Sequence, residues 1–369
     1  MKIGVLTSSR ADYGIYLPLL NRLKDDAFFQ LEIIAFGTHL SPFHGYTLTQ
    51  IEQDCYPKIH TVSSLLVNDD AQGIVNSYAL TIMKFADFWH ANQYDLVLCL
   101  GDRFEMSAAV QAGIPFGVKF CHIHGGETTL GAIDNVYRHQ ITLASQLYFT
   151  STVAYQDKIV SLLGENKNIY TVGSLSLDGI DSFQPMEKSE FYKKFGIEDK
   201  DYALITFHPE TIAVNENSHF AHEMKVALSN LTHSLNLIIT MPNADTAGTV
   251  YRKELEVLKE EHPDQVLLIE NFGKANYFSA MYYSKLLIGN TSSGIIEAAS
   301  FGKYFVNVGN RQLGRAQSAN VFNSEFRAND IISKTNTVLS LGNYLGENIY
   351  FKKDVAISIL KVLKEYEKL

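Results

Sequence analysis

With 369 residues the chain exceeds what one hydrophobic core ordinarily serves, so two domains are expected. Hydrophobic residues at 46% and charged residues at 19% fit a globular protein, and a formal net charge of −9 excludes general attraction to nucleic acid or to an anionic membrane. No apolar run reaches the roughly 18 residues that span a bilayer, and MKIGVLTSSRADYG is too short and polar for a signal peptide, so a cytoplasmic protein is expected.

Short apolar runs alternate with helical-period segments. In chain order the runs are KIGVL (2–6), LEIIAF (31–36), LVLCL (96–100), FGVKFCHI (116–123) and QLYFTS (146–151). A second series follows: YALITF (202–207), LNLIIT (235–240), VLLIE (266–270), KLLIG (285–289) and YFVNV (304–308). Runs apolar on both faces read as buried parallel strands. The two series predict an α/β protein of two Rossmann-like doubly wound domains facing a cleft. The expected boundaries are 1–175 for the N-terminal domain, 176–190 for a polar linker, 191–351 for the C-terminal domain, and 352–369 for a helix that packs back. Cys55, Cys99 and Cys121 are scattered, which suits buried thiols in a reducing compartment.

In such sheets ligands bind beyond the carboxyl ends of the strands. The residues there are TSSRADYG, GDRFE and HGGE in the first half, then HPE, MPNADT, GNTSSG and GNRQLGR in the second. GNTSSGIIEAASFG (289–302) predicts a strand, a loop and a helix starting near Thr291 or Ser292, where backbone N–H groups and hydroxyls suit an anion. A plain Ser/Thr helix cap would have the same sequence. Neither GxxxxGK[ST] nor a GxGxxG after the first strand occurs. Arg10 and Arg311 follow strands, and a guanidinium fork matches phosphate oxygens. Glu297, further along the 289–302 segment, suits two ribose hydroxyls.

Asp102, Glu127 and Asp134 are carboxylates near strand ends, and carboxylates in unlike environments provide both a proton acceptor and a donor. His208 begins the second half's first loop and is expected opposite them, whereas Arg138 and His139 lie in a helical stretch and read as structural. In CHIHGGE (121–127), strand alternation would put His122 and His124 on one face and Cys121 and Ile123 on the other. With no further ligand set elsewhere, no metal is expected.

These motifs, namely SSRADYG (8–14), GTHLSPFHGYT (37–47), GDRFE (101–105), HIHGGETTLGAIDNVYRHQIT (122–142), FHPET (207–211), NADT (243–246), GNTSSGIIE (289–297) and GNRQLGR (309–315), run across nearly the entire length. The chain resembles the hydrolysing UDP-N-acetylglucosamine 2-epimerase family of bacterial sialic and legionaminic acid biosynthesis. The resemblance implies a glycosyltransferase-B-like fold and a UDP-sugar substrate, with no cofactor and commonly a homodimer. It implies anti elimination of UDP through a 2-acetamidoglucal, then water addition giving N-acetylmannosamine. By resemblance Asp102, Asp134 and His208 are catalytic. Many relatives carry Glu where this chain has His124, which leaves His124 and Glu127 as alternatives for that role. Arg10, Asp12, Arg103, Thr291, Ser292, Ser293 and Arg311 match UDP and substrate contacts, Glu297 the ribose contact, and Asn243 a pocket asparagine. The same motifs would serve UDP-N,N'-diacetylbacillosamine or a non-hydrolysing 2-epimerase; a glycosyltransferase and a metal hydrolase are the alternatives of other classes.

Overall fold

The structure, a computed structural model, describes residues 1–66, 70–210, 212–242 and 248–366. Among these residues two parallel sheets form, each from strands whose apolar side chains are buried on both faces. The first sheet comprises β1 (Lys2–Thr7), β2 (Gln30–Phe36), β3 (Ile59–Val62), β4 (Leu96–Leu100), β5 (Phe120–Ile123), β6 (Leu147–Thr150) and β7 (Ile169–Thr171). Its order is β3-β2-β1-β4-β5-β6-β7. The second comprises β8 (Tyr202–Thr206), β9 (Asn236–Thr240), β10 (Val266–Ile269), β11 (Leu286–Gly289), β12 (Phe305–Val308) and β13 (Val321–Ser324), in the order β10-β9-β8-β11-β12-β13. In each, strand order reverses direction once, between β1 and β4 and between β8 and β11, and loops leaving those strands diverge to make a crevice at the carboxyl edge. The expectation of two parallel-sheet α/β domains of glycosyltransferase-B-like fold holds.

Period-2 alternation assigns the faces of the first sheet. Ile3, Val5, Ile33, Leu98, Cys121 and Ile123 pack against the helix Arg10–Asp25, while Leu6, Ile34, Val97, Cys99 and Phe120 pack with Phe85, Trp89 and Met106. Cys99 and Cys121 are thus buried thiols, but Cys55 is exposed, contrary to the expectation that all three are buried. β3 (IHTV), β7 (IYT) and β13 (VFNS) escaped the sequence reading because polar residues interrupt each short run, whereas the equally short edge strand β10 (VLLI) is apolar throughout. The run expected over 116–123 shortens to Phe120–Ile123: Pro115 lies in a 3-10 turn, Ile114–Phe116, and Gly117 closes it in the left-handed conformation at φ +69°.

The chain divides into two compact units, residues 1–128, 134–179 and 350–369 in the first and 129–133 and 180–349 in the second. The segment expected as a linker holds 3-10 turns at Leu175–Leu177 and Ile180–Ser182 and the start of the helix Lys188–Phe195. At the return to the first unit, Tyr350 is fully buried, its carbonyl accepts from Ser174 N at 2.8 Å, and its hydroxyl lies 2.8 Å from that of Tyr155. The last helix, Val355–Tyr366, presents Val355, Ala356, Ile359 and Leu363 as one helical face buried in that unit's core.

Candidate active site

In the first unit the reversal point is built by the loops after β1 and β4. Ser9 caps the helix Arg10–Asp25, accepting from Asp12 N, and the Asp12 side chain reaches back in a capping box. The Asp12 carboxylate accepts from Thr7 Oγ1 at 2.7 Å, Ser8 N and Ser8 Oγ at 2.9 Å, and Ser9 N at 3.0 Å. Asp12, expected as a ligand contact, shapes its own loop through these bonds. Arg10, the first residue of the helix, is exposed. His39 is fully buried with Nε2 3.0 Å from Thr7 Oγ1 and Nδ1 2.8 Å from Thr47 Oγ1. Burial lowers its pKa, the Asp12 charge opposes, and Arg103 adds to the lowering. Arg103 grips buried Glu105 with Nε at 3.2 Å and Nη2 at 2.7 Å. Glu105, opposed by burial and helped by Asp12 and Asp134, holds the Arg103 pKa well above its ordinary value. Asp134, the first residue of the helix Asp134–Ala144, therefore shares the electrostatic neighbourhood of the β1 and β4 loops.

The turn after β5 carries the HIHGGE motif. Strand alternation stops at Ile123, because His124 adopts a left-handed backbone at φ +62°, and the two imidazoles part company. This corrects the expectation of His122 and His124 on one face. His122 is fully buried, its Nε2 2.9 Å from the Gly101 carbonyl and its Nδ1 3.0 Å from Thr142 Oγ1. Burial drives its pKa down to about 3, so it is neutral and serves to hold the β4 loop in place. His124 Nε2 accepts from Leu175 N at 3.1 Å. A backbone N–H can only donate, so the ring proton of neutral His124 sits on Nδ1, which lies 3.8 Å from Glu127 Oε1. Glu127 is buried and accepts from Ser151 Oγ at 2.9 Å.

Arg138, read from sequence as structural, stands at the centre of this group. It is 3% exposed. Its Nη2 donates to the Asp102 carboxylate, its Nη1 donates to the His124 carbonyl at 2.7 Å, and Nη1 lies 3.9 Å from Glu127 Oε2. Its Nε is buried without a partner, an arrangement that ordinarily costs about 1–3 kcal/mol. Asp102 does not cap the following helix, whose N-cap is Arg103. The structure thus brings Asp102, His124, Glu127 and Arg138 together. No sequence signal marks Arg138 beyond its place in DNVYRHQ, since buried and solvated arginines share one residue type.

In the second unit the reversal point lies between β8 and β11. The Asn290 side chain pins the His208 backbone reciprocally, accepting from His208 N at 2.7 Å and donating to His208 O at 2.8 Å. Gln312 Nε2 donates to Asn290 O at 2.9 Å, tying in the loop after β12. Glu210 is buried, and its Oε1 accepts from Asn310 N at 2.9 Å and Arg311 N at 3.0 Å. Burial raises the Glu210 pKa while those two bonds and the Arg311 charge oppose. His208 is driven down to about 3 by burial and then by Arg311, so His208 and Arg311 share one neighbourhood and the histidine is neutral. Glu210, Asn290 and Gln312 were missed by sequence reasoning, although each flanks a motif residue that was named.

Thr291 is the N-cap of the short helix Ser292–Ile296, its Oγ1 accepting from Ser293 N at 3.3 Å. Two glycines fix this corner. At Gly289, φ +145°, an added Cβ would lie 1.9 Å from the Thr206 carbonyl oxygen, and at Gly294 it would meet the Phe305 ring at 2.5 Å. Glu297 is largely buried at the end of that helix. Tyr277, another residue missed in the sequence, bonds the Ser293 side chain and feels the Glu297 charge, and burial raises its pKa. Asn243 lies outside the described residues. Among those residues no group of three or more His, Cys, Asp or Glu is placed to hold a metal ion, and no helix is long and apolar enough to cross a membrane.

A family model described as UDP-N-acetylglucosamine 2-epimerase matches residues 21–364. The chain belongs to the UDP-N-acetylglucosamine 2-epimerase family. Among relatives of this epimerase-family chain, polysialic acid biosynthesis protein P7 of Escherichia coli is 32% identical over all of this chain and 94% of its own length. GDP/UDP-N,N'-diacetylbacillosamine 2-epimerase (hydrolyzing) of Campylobacter jejuni is 34% identical over 88% of this chain and 84% of its own. A solved structure, UDP-GlcNAc 2-epimerase from Neisseria meningitidis bound to UDP-GlcNAc, superposes with a TM-score of 0.81, covering 99% of this chain and 100% of that one. At 15% identity that likeness speaks for the epimerase fold alone.

Proposed function

We propose that this chain is a hydrolysing 2-epimerase that converts UDP-N-acetylglucosamine and water to N-acetylmannosamine and UDP. The observation that carries the reading is the pair of carboxylates, Asp102 and Glu127, gathered around buried Arg138 beside the β4 and β5 loops of a chain in this family. A base takes the proton from carbon 2, the bond from carbon 1 to the diphosphate oxygen breaks, and a 2-acetamidoglucal remains. Water then adds at carbon 1 while carbon 2 is protonated from the opposite face. Asp102, Asp134 and Glu127 are the proton-handling groups proposed for this scheme, and His208, neutral and beside Arg311, is proposed as a further catalytic group. Asp102 has the more open carboxylate, its side chain 25% exposed against 3% for Glu127, which favours it as the group that meets carbon 2.

Arg311 is proposed to receive the charge on the departing diphosphate, the Thr291–Ser293 corner its oxygens, and Glu297 the ribose; Arg10, Arg103 and Asn243 are proposed as further substrate contacts. The Campylobacter relative's name favours a second substrate reading, UDP-N,N'-diacetylbacillosamine, with the same bond changes. The enzyme works as a cytoplasmic homodimer without metal or cofactor in this reading. Incubation with each nucleotide sugar, in chelator, tests it by UDP release. Deuterium from solvent is expected at carbon 2 of the free sugar product. Absence of that label sinks the elimination route, and a product still linked to UDP sinks the hydrolytic one.

A further inference from the structure

One cation in the first unit has a geometry that a plain structural ion pair does not require. Arg138 reaches from its helix to three points on two different strand-end loops: the Asp102 carboxylate after β4, and both the His124 carbonyl and Glu127 after β5. A planar guanidinium holds its two terminal nitrogens at a fixed spacing, so whatever they bind is fixed in mutual register; an ammonium cannot do this. The carbonyl it binds belongs to the one residue of that turn, other than glycine, with a left-handed backbone, where a β-substituted residue needs outside support. Its partners on the other side are equally constrained: Ser151 Oγ holds Glu127 at 2.9 Å and Leu175 N holds His124 at 3.1 Å. Arg138 nonetheless keeps Nε buried and unpartnered, so its placement satisfies Asp102 and the 124–127 turn at the expense of its own hydrogen bonding.

We propose that Arg138 is a positioning residue for the epimerase reaction: its fork sets Asp102 and Glu127 at a fixed separation by clamping the β4 loop to the left-handed turn at His124. This rests on the functional reading above. The clamp moves no proton and touches no substrate. Its removal should therefore cost turnover while leaving UDP binding, which the reading assigns chiefly to the Arg311 and Thr291–Ser293 loops, largely unchanged.

The test compares wild type with Arg138→Met, Arg138→Lys and Arg138→Ala. Arg138→Met is expected to lose about 100-fold or more in kcat, with KM and the calorimetric Kd for UDP each within about threefold of wild type. Arg138→Lys keeps the charge and the stem but not the fork, so it should also lose at least about tenfold at an unchanged melting temperature, and it serves where the Met variant does not fold. Methylguanidinium added to Arg138→Ala should restore about tenfold in turnover, an effect no general loss of packing would show. Amide hydrogen exchange over residues 122–128 should quicken at least about tenfold in the variants. Turnover of Arg138→Met within about threefold of wild type overturns the proposal, as does a joint fall of kcat, UDP affinity and melting temperature with no recovery in methylguanidinium. If wild type releases no UDP from either nucleotide sugar, the functional reading fails by itself. Exchange over 122–128 then still decides the clamp, and an unchanged rate overturns it.

Discussion

Hydrogen-bond direction at His124 bears on which residue replaces the glutamate many relatives carry there. Nε2 is occupied as an acceptor by Leu175 N, and Nδ1–H faces Glu127, so taking up a second proton would cost His124 a backbone hydrogen bond. Glu127 keeps Oε2 toward Arg138 and Oε1 toward Ser151, so its carboxylate is oriented by both. Glu127→Gln is therefore expected to lower kcat by about 10²- to 10⁴-fold, and His124→Ala by clearly less, in initial-rate measurements of UDP release. A larger loss in His124→Ala would assign the role to the histidine. At this scale the sequence exposed the candidate residue types, since Asp102, His124, Glu127, His208 and Arg311 all stand in strand-end motifs. Arg138 and Glu210 were illegible because their importance lies in partners 36 and 100 residues away, such as Asp102 and Asn310.

Among the elements, the end of β11 shows how a backbone approach positions a site. Gly289 lets this strand run so close to β8 that the Thr206 carbonyl occupies the place of a Cβ, and the chain then turns directly into Asn290 and Thr291. Gly289→Ala must push β11 away from β8, with an expected cost of more than about 3 kcal/mol, read as a lower melting temperature together with weakened UDP binding. An unchanged melting temperature would show that the two strands have room to shift. The sequence announced the central strands because an apolar run such as LVLCL is hard to place otherwise. It hid β3, β7 and β13, whose three or four residues mix polar with apolar side chains.

Across the whole molecule, two histidines depressed by desolvation and the Glu32 carboxylate shape the acid response. His122 in the first unit and His208 in the second are each held near pKa 3 by burial, far below the ordinary value of about 6.5. Depressed histidines bind a proton more readily in the unfolded chain, so their contribution is complete above about pH 6.5 and is lost progressively as pH falls toward 3. Glu32 is pushed up by burial, but its bonds from His60 and Tyr94 and the charges of Lys2 and Lys58 prevail and hold it at about 2. Its contribution is present above about pH 4.5 and is lost as pH falls to 2. The melting temperature should therefore fall in two stages on acidification, and in His122→Asn the first stage should be shallower. An equal slope in that variant between pH 7 and pH 5 would contradict burial of His122 as a cause.

The sequence by itself determined the two α/β halves, the family, and the loops that bear the chemistry, because hydrophobic periodicity is local and reactive residue types gather at strand ends whatever the tertiary detail. Only the tertiary structure decided which of those residues meet. His122 and His124 are two positions apart, yet one holds a loop and the other faces Glu127, because a single left-handed φ interrupts the alternation. Arg138 became central through a helix that delivers its guanidinium to two loops at once, a fact that depends on distances between elements and is written in no short stretch of chain.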